Sequence, residues 1–458
     1  MNVQVATEAN FRCHQGFDLA AWDANDEEDP AAPRIMRFLK TTTIADFTQQ
    51  LATTFNLDAD LIRPWLVVNR QNGTKRPDTP IEPFTMSLEE AAAKGVTRQQ
   101  VLKVWIEETT RDASGKPVWE SSTGSNAKRP FIVFLKYFDP ESQELKGAGH
   151  AYMKPDDKVS ELTLPILKIM NWDANTKNIR LYEEIKPNFV ETMKPKQTLQ
   201  ASEIQDGDIV CFQKDFSGDE VAAIQQKSPS AYLEAPMFYD YLLNRILVHF
   251  GPKPSVTQHI NLTEEDDRFS LFLSKKDTYD NLTIKVAEHL SKVSKTTVDS
   301  SHMRFTTVNS QTNKPRTLVK KTPTATLATI LQGVGGGYGG YGYSNQAADA
   351  LYYEVLEMSI SDLEQRKTVK IIWLSDGIQK EVGFSVCLSL DLRLHNFRIL
   401  TRFSCQSKAR LGTFYQLFKR RRHYPMRPSS RFVSSRSILE ESPNCSAKPI
   451  LLLISTTT

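Results

Sequence analysis

One arrangement of apolar residues recurs along the first 360 residues, at intervals of roughly a hundred residues. Each copy has short strand patterns, then one amphipathic helix, then further strands. A period of this length is typical of small domains in tandem and is too long for a solenoid. The chain has 458 residues, enough for about three or four domains. The sequence therefore predicts an α+β fold in which one helix crosses one mixed sheet in each domain.

The clearest copy spans residues 129–216. Its first strand, Phe131–Phe138, is almost wholly apolar, and Gly147–Met153 can pair back with it as a hairpin. A helix is predicted by apolar residues spaced three and four apart, at Val159, Leu162, Ile166 and Met170. Pro165 falls in its first two turns. Two later strands are expected at Ile179–Ile185 and Ile209–Phe212.

The other copies are expected at 1–110 and 237–360, and a fourth strand set begins at 367–382. The helix of the first copy is marked by an apolar stripe, namely Ile44, Phe47, Leu51 and Phe55. The helix of the third copy has the same pattern, at Leu282, Val286, Leu290 and Val293. Residues 333–343 are rich in glycine and are expected to form a flexible loop. Residues 383–458 are expected to be an unstructured tail.

Charge separates the body of the chain from this tail. The chain has 57 Lys/Arg and 54 Asp/Glu, of which 13 and 3 follow residue 383. The first 383 residues therefore have a net charge of −7, which favours basic protein partners over nucleic acid. No apolar run of about 18 residues is present, and the first residues lack the layout of a signal peptide, so we expect neither a membrane partner nor secretion.

The histidines and cysteines do not form a pattern of known chemistry. The five cysteines are far apart and form no CxxC, and the eight histidines form no HExxH, so no metal or other cofactor is expected. A thiol protease needs a cysteine activated by a histidine. Cys13 and His14 are adjacent, but on a strand they would point to opposite faces. Cys211 lies mid-strand and is expected to be a small buried residue. We therefore expect no catalytic residues.

Several ordered motifs resemble the C-terminal region of the herpesvirus-associated ubiquitin-specific protease family. They are NVQVATEANF with HQG near the start, RQNGTKRP at 70–77, FLKYFDPESQELKGAGHAY at 134–152, LYEEIKPN at 181–188, DGDIVCFQKD at 206–215 and LYYEVLEMSISDLEQRKTVKIIWL at 351–374. The resemblance spans about 1–382 and implies tandem ubiquitin-like β-grasp domains. The catalytic domain of that family would precede residue 1, so the family is a cysteine-type deubiquitinase but this chain is expected to be inactive alone.

The resemblance also implies a role in docking. In the family this region binds client proteins, including a viral ubiquitin ligase, and supports the catalytic domain. Expected partners are therefore lysine-containing segments of clients, ubiquitin ligases and a ubiquitin-specific protease catalytic domain. The nucleus, or the nucleus and cytoplasm, is the expected location. Two alternatives remain open, a free-standing ubiquitin-like adaptor and a thiol hydrolase with an unfamiliar site.

The acidic turn at 203–208 is the candidate partner-binding site. It can be read as a polar hairpin turn in which Asp and Gly serve the backbone. In the family this turn of the second domain docks lysine-bearing segments, which implies that the carboxylates of Glu203, Asp206 and Asp208 project as a cluster. Ser202 stands where the family commonly has a further acid, which predicts weaker binding.

The basic run Lys419–His423 suggests either a nuclear-import signal or a polyanion-binding patch. The sequence after residue 383 does not resemble the family, and its composition changes abruptly within a domain. We therefore interpret the tail as the product of a frame change or a retained intron in the gene.

Overall fold

The computed structural model describes most of the first 364 residues. The described residues are 1–24, 28–94, 101–119, 129–173, 176, 178–254, 256, 258, 260, 262–263, 265–309, 312–332 and 349–364, together with the backbone of three strands at 366–375, 378–387 and 453–455. The linker residues 120–128 and the glycine-rich residues 333–348 lie outside this part, so the prediction of a flexible loop stays a prediction.

In its described residues the first module has five strands and three α-helices. Its elements in chain order are β1 (Asn2–Ala6), α1 (Glu8–Cys13), β2 (Arg34–Arg37), α2 (Ile44–Phe55), β3 (Ile62–Asn69), β4 (Lys75–Pro80), α3 (Leu88–Lys94) and β5 (Leu102–Glu108). The sheet order is β2-β1-β5-β3-β4, in which β1 and β5 are parallel. Helix α2 confirms the predicted stripe: Thr43 caps its first turn, Asn56 ends it in the left-handed conformation, and Ile44, Phe47 and Leu51 are fully buried.

The second module repeats this sheet order. Its elements are β6 (Phe131–Asp139), β7 (Glu144–Met153), α4 (Thr163–Met170), β8 (Ile179–Lys186), β9 (Phe189–Thr192) and β10 (Asp208–Lys214), arranged β7-β6-β10-β8-β9. A 3₁₀ turn at Val159–Leu162 leads into α4. Pro165 is the third residue of α4, where its missing N–H has no helical acceptor to lose, so it does not interrupt the helix.

The third module follows two connecting helices. Helices α5 (Gly218–Lys227) and α6 (Ala235–Asn244) precede β11 (Arg245–Pro252), β12 (Phe269–Ser274), α7 (Tyr279–Ser294), β13 (Met303–Val308), β14 (Pro315–Leu318), α8 (Leu327–Gln332) and β15 (Ala350–Val355). The order β12-β11-β15-β13-β14 is again the β-grasp order. The prediction of an α+β chain of tandem ubiquitin-like domains is confirmed by these three five-stranded mixed sheets.

A fourth sheet begins after helix α9 (Ile360–Glu364). Strands β16 (Arg366–Ser375), β17 (Ile378–Cys387) and β18 (Leu453–Ser455) pair in the order β17-β16-β18. Strand β17 continues past residue 382 to Cys387, and β18 lies near the end of the chain. The unstructured tail expected over 383–458 stays a prediction for the residues outside these two strands. Residues 388–452 and 456–458 lie outside the described part. No helix within the described residues is long and apolar enough to cross a membrane.

The first two modules pack through the sheet faces that their helices do not cover. Trp65 and Trp105 of the first module meet Ile132, Phe134 and Ile209 of the second in one buried cluster. The rings of Trp105 and Phe134 lie edge to face, with centroids 4.7 Å apart. Burial on both faces explains why β6 reads as a continuous apolar run.

Helix α6 covers the rest of the second sheet. Its Phe238 stacks on Phe138 of β6 with ring centroids 4.9 Å apart, and Tyr239 is buried in the same cluster. The helix thereby ties the start of the third module to the joint between the first two.

Candidate protein-docking site

The acidic turn between β9 and β10 is held by hydrogen bonds to the first strand of its own module. Gly207 has φ +81° and its N–H donates to the carbonyl of Ile132 at 2.9 Å. The N–H of Ile132 in turn donates to Oδ1 of Asp206 at 2.9 Å. Glu203 adopts the left-handed conformation and its side chain is exposed. The turn is therefore a fixed part of the sheet end.

Two of the three predicted carboxylates do not project from this turn. Asp206 pairs with Arg129, and its side chain is 18% exposed. Asp208 pairs with Arg70 of the first module, accepts a 2.8 Å hydrogen bond from the N–H of Gln205, and is 10% exposed. The expectation of a projecting cluster is wrong for Asp206 and Asp208, because each is already engaged by an arginine and a backbone N–H. Whether the turn binds a partner stays a prediction.

Two further glutamates enlarge the acidic region. Glu183 of β8 lies directly opposite Glu191 of β9 in the ladder, a like-charge cross-strand pair. Burial raises the pKa of Glu183 to about 7, and the charges of Asp208, Glu191 and Glu203 add to this rise, while Arg70 opposes it. We call the exposed or half-buried glutamates Glu183, Glu191 and Glu203 the acidic surface; Asp208 is buried beside them and pairs with Arg70.

Sequence reasoning missed the two glutamates for a definable reason. The motif LYEEI showed an alternating strand, but β9 is only four residues long and was not predicted. Without β9, the cross-strand partner of Glu183 could not be named. The visible signal was Glu191, which follows a Pro-Asn turn after β8 at hairpin spacing.

A second charged group lies between the modules and is fully buried. The carboxylate of Glu184 accepts hydrogen bonds from Nζ of Lys136, a guanidinium nitrogen of Arg76, the N–H of Asp18 and the hydroxyl of Tyr239, all at 2.8 Å. Arg76 also pairs with Asp18. The side chains of Lys136, Arg76 and Glu184 are at most 1% exposed. We call these five residues the buried joint.

The opposite charges of the buried joint counteract the effect of burial on its ionisable groups. Burial alone would raise the pKa of Glu184, but Lys136 and Arg76 outweigh it and lower that pKa. Burial lowers the pKa of Lys136, and Glu184 opposes the change. Burial raises the pKa of Asp18, and the charge of Arg76 opposes this rise. The formal charges of the two basic groups and the two carboxylates cancel. It connects the first module through Asp18 and Arg76, the second through Lys136 and Glu184, and α6 through Tyr239.

The motifs that carry the family resemblance meet in this joint. Arg76 belongs to RQNGTKRP, Lys136 to FLKYFD and Glu184 to LYEEI. Lys136 also donates to the carbonyl of Gly16, within HQG, at 2.5 Å. Segments far apart in sequence therefore serve one structural purpose.

The side chains of two cysteines, Cys13 and Cys211, lie within the described residues, the first exposed and the second buried. Burial raises the pKa of the Cys211 thiol to about 12, which disfavours the reactive thiolate. Cys13 ends helix α1 and does not lie on a strand, which corrects the expected geometry. The ring of His14 lies 2.6 Å from the carbonyl oxygen of Phe17, and burial lowers the pKa of this histidine to about 4. Among the described residues, no group of three or more His, Cys, Asp or Glu could hold a metal ion.

Two known protein families match parts of this sequence. The family described as the ICP0-binding domain of ubiquitin-specific protease 7 matches residues 62–331, and the family described as the ubiquitin-specific protease C-terminal matches residues 350–399. The chain belongs to the ubiquitin-specific protease 7 family. The second match extends to residue 399, so the resemblance does not stop at 382 as the motifs had indicated.

Curated relatives agree with this assignment. Ubiquitin carboxyl-terminal hydrolase 15 of Schizosaccharomyces pombe is 27% identical over 381 residues, covering 83% of this chain and 31% of the relative. Ubiquitin C-terminal hydrolase 12 of Arabidopsis thaliana is 31% identical over 408 residues, covering 87% and 32%. Ubiquitin carboxyl-terminal hydrolase 15 of Saccharomyces cerevisiae is 21% identical, covering 80% and 32%. The chain spans about a third of the length of these relatives.

Proposed function

We propose that this chain is a non-catalytic region of a ubiquitin-specific cysteine protease, and that its second module docks lysine-containing segments of client proteins. The main observation behind this proposal is the acidic surface, where burial and three neighbouring carboxylates raise the pKa of Glu183 to about 7. The descriptions of the matching family and of the relatives support this proposal, because they name ICP0 binding and ubiquitin hydrolysis for those proteins. Ubiquitin ligases, and the protease domain of a full-length protein, are further proposed partners.

Electrostatic repulsion gives the acidic surface its affinity for cations. An ammonium group near Glu183 and Glu191 would restore the charged form of Glu183 and relieve the repulsion between the two strands. Each exposed ion pair contributes only about 0.2–1 kcal/mol. A docking segment must therefore place at least two lysines on the surface, and its affinity should fall as salt rises.

The buried joint fixes the surroundings of this surface. Arg70 of the first module reaches Asp208 and the carbonyl of Asp206 in the second. Because the joint holds the modules together, Arg70 stays beside the acidic surface and limits where a lysine can bind. Docking is thus proposed for the open side, at Glu183, Glu191 and Glu203.

The test uses the full chain and a lysine-bearing peptide with two lysines several residues apart, measured by calorimetry at low and high salt. The double variant Glu191→Lys/Glu203→Lys should bind at least about tenfold more weakly, because it reverses two exposed charges. Glu141→Lys, at an exposed hairpin of the same module, is the matched control and should bind normally. Equal affinities for the double variant and the control would refute docking at this surface.

A further inference from the structure

Among the described residues, nothing covers the helix-free sheet face of the third module at three apolar side chains, whereas the first two modules bury the corresponding faces against each other. The side chains of Leu247, Phe272 and Leu318 are 38%, 55% and 44% exposed. Leu247 and Phe272 are directly opposite each other in the β11–β12 ladder. Their neighbours Val248 and Leu273 point into the helix-side core, so Leu247 and Phe272 lie on the helix-free face.

Strands β13 and β14 extend this face. Thr306 lies opposite Leu318 on one side and Tyr352 on the other, and such pairs share a face. Because Phe305 belongs to the helix-side core, Thr306 and Leu318 lie on the helix-free face, where Leu318 is 44% exposed and Thr306 between its neighbours is only 3% exposed. We call the surface around Leu247, Phe272 and Leu318 the open face.

The charges of the open face are mainly positive. The guanidinium of Arg245 lies 4.9 Å from the ring centroid of Phe272. Arg304 donates a 2.6 Å hydrogen bond to Glu354, and Nζ of Lys253 lies 3.2 Å from its other carboxylate oxygen. Glu354 is 1% exposed, while both cations are partly exposed, so the pair of cations presents an excess of positive charge to solvent.

We propose that the open face docks an acidic segment of another protein that also carries apolar side chains. Apolar contacts would cover Leu247 and Phe272, and carboxylates would pair with Arg245, Arg304 and Lys253. The open face is positively charged, whereas the first 383 residues as a whole have a net charge of −7. It thereby complements the acidic surface of the second module, which selects the opposite charge.

The fourth sheet of this chain is not a suitable occupant on charge. Strand β16 contains Arg366, Lys367 and Lys370, and cations facing the cations of the open face would repel them. Nucleic acid would match the positive charge, but the centre of the face is Leu247 and Phe272, and Glu354 neutralises part of the cationic rim. A protein segment with alternating acidic and apolar residues fits both features.

The experiment uses the full chain and a short fluorescein-labelled peptide in which Glu alternates with Leu. Fluorescence anisotropy should show saturable binding, weakened at least about tenfold by Phe272→Ser and by Arg245→Glu, because each removes one of the two classes of contact. Leu39→Ser, at a 76% exposed site in the first module, is the apolar control and should bind normally. Circular dichroism of each variant checks that the fold is retained.

A photoreactive version of the peptide separates this face from the basic residues after 383. Cross-links should fall within β11 and β12. Cross-links confined to residues after 387, unchanged affinity in both variants, or tighter binding of a single-stranded RNA with the same dependence on Phe272 would each overturn the proposal. Peptides with Lys in place of Glu should not bind the open face.

Discussion

Glu183 and Glu184 are adjacent in β8, and their carboxylates lie on opposite faces of the second sheet in opposite electrostatic settings. Glu184 is fully buried at the contact with the first module, where four donors hold it. Glu183 faces the acidic surface, and burial beside other carboxylates raises its pKa to about 7. Strand alternation thus lets one dipeptide serve both the stability of the module pair and the proposed docking site.

Removing one charge from the buried joint should destabilise the module pair strongly. Glu184→Gln or Lys136→Met leaves an uncompensated buried charge and should each cost about 3–5 kcal/mol in the free energy of unfolding, measured with urea. The double variant leaves Arg76 paired with Asp18, so its cost should be less than the sum of the two. Lys146→Met, at a lysine 47% exposed in β7, is the control. Additive costs would show that the four charges do not act as a unit.

The acidic turn should divide into structural and exposed carboxylates. Asp208→Asn weakens the pairing with Arg70, and Asp206→Asn weakens that with Arg129, so each should cost about 1–3 kcal/mol of stability. Glu203→Gln, at an exposed side chain, should cost less than about 0.5 kcal/mol. Thermal or urea unfolding of the three variants checks this ranking. Equal stability of all three would restore the interpretation of a free polar turn.

The fold could be predicted from sequence because its signals are local. Apolar spacing identified α2 and α7 with their buried faces, and the continuous apolar run identified β6. Short helices such as α1 and α3, and the four-residue strand β9, lack a full period and were missed. Local pattern determines an element only when it is long enough to show its period.

The arrangement of the modules could not be predicted, because it depends on pairs far apart in sequence. Lys136 looked like a charged interruption in an apolar strand, yet it is fully buried against Glu184. Arg76, the second cation that pairs with Glu184, is 108 residues away from that glutamate in sequence. The same distance effect hid the arginines that engage Asp206 and Asp208. Motif resemblance pointed to these residues without showing that they meet.

Gly207 should be the least replaceable glycine of the acidic turn. Its φ of +81° disfavours any side chain, and a Cβ there would overlap the backbone carbonyl of Pro77 in the first module. Gly73 has a similar φ of +87° with nothing within 4 Å of its Cβ position. Gly73→Ala should therefore cost about 1 kcal/mol and Gly207→Ala several times more. Urea unfolding gives both costs, and their difference isolates the overlap. Equal costs would place the two modules farther apart than described.

The affinity of the acidic surface for a lysine peptide should depend on pH near neutrality. Glu183 has a pKa of about 7, so it is largely charged at pH 8 and largely protonated at pH 6. Lysine binding requires the charged form, so affinity should rise between pH 6 and pH 8 and level off above, with a proton released on binding.

The same shift has a consequence for stability with the opposite sign. The pKa of Glu183 in the folded protein lies above its ordinary value of 4.5. Protonation of Glu183 therefore contributes its full share to the free energy of unfolding below pH 4.5, and this contribution is lost as pH rises towards 7. Glu183→Gln should therefore make the affinity for the lysine peptide independent of pH between 6 and 8. It should also remove the loss of stability as pH rises towards 7. Calorimetry in two buffers of different ionisation enthalpy measures the released proton. His14 does not titrate in this window, because burial lowers its pKa to about 4. A pH dependence that survives in Glu183→Gln would assign the effect to another group and remove Glu183 from the proposed site.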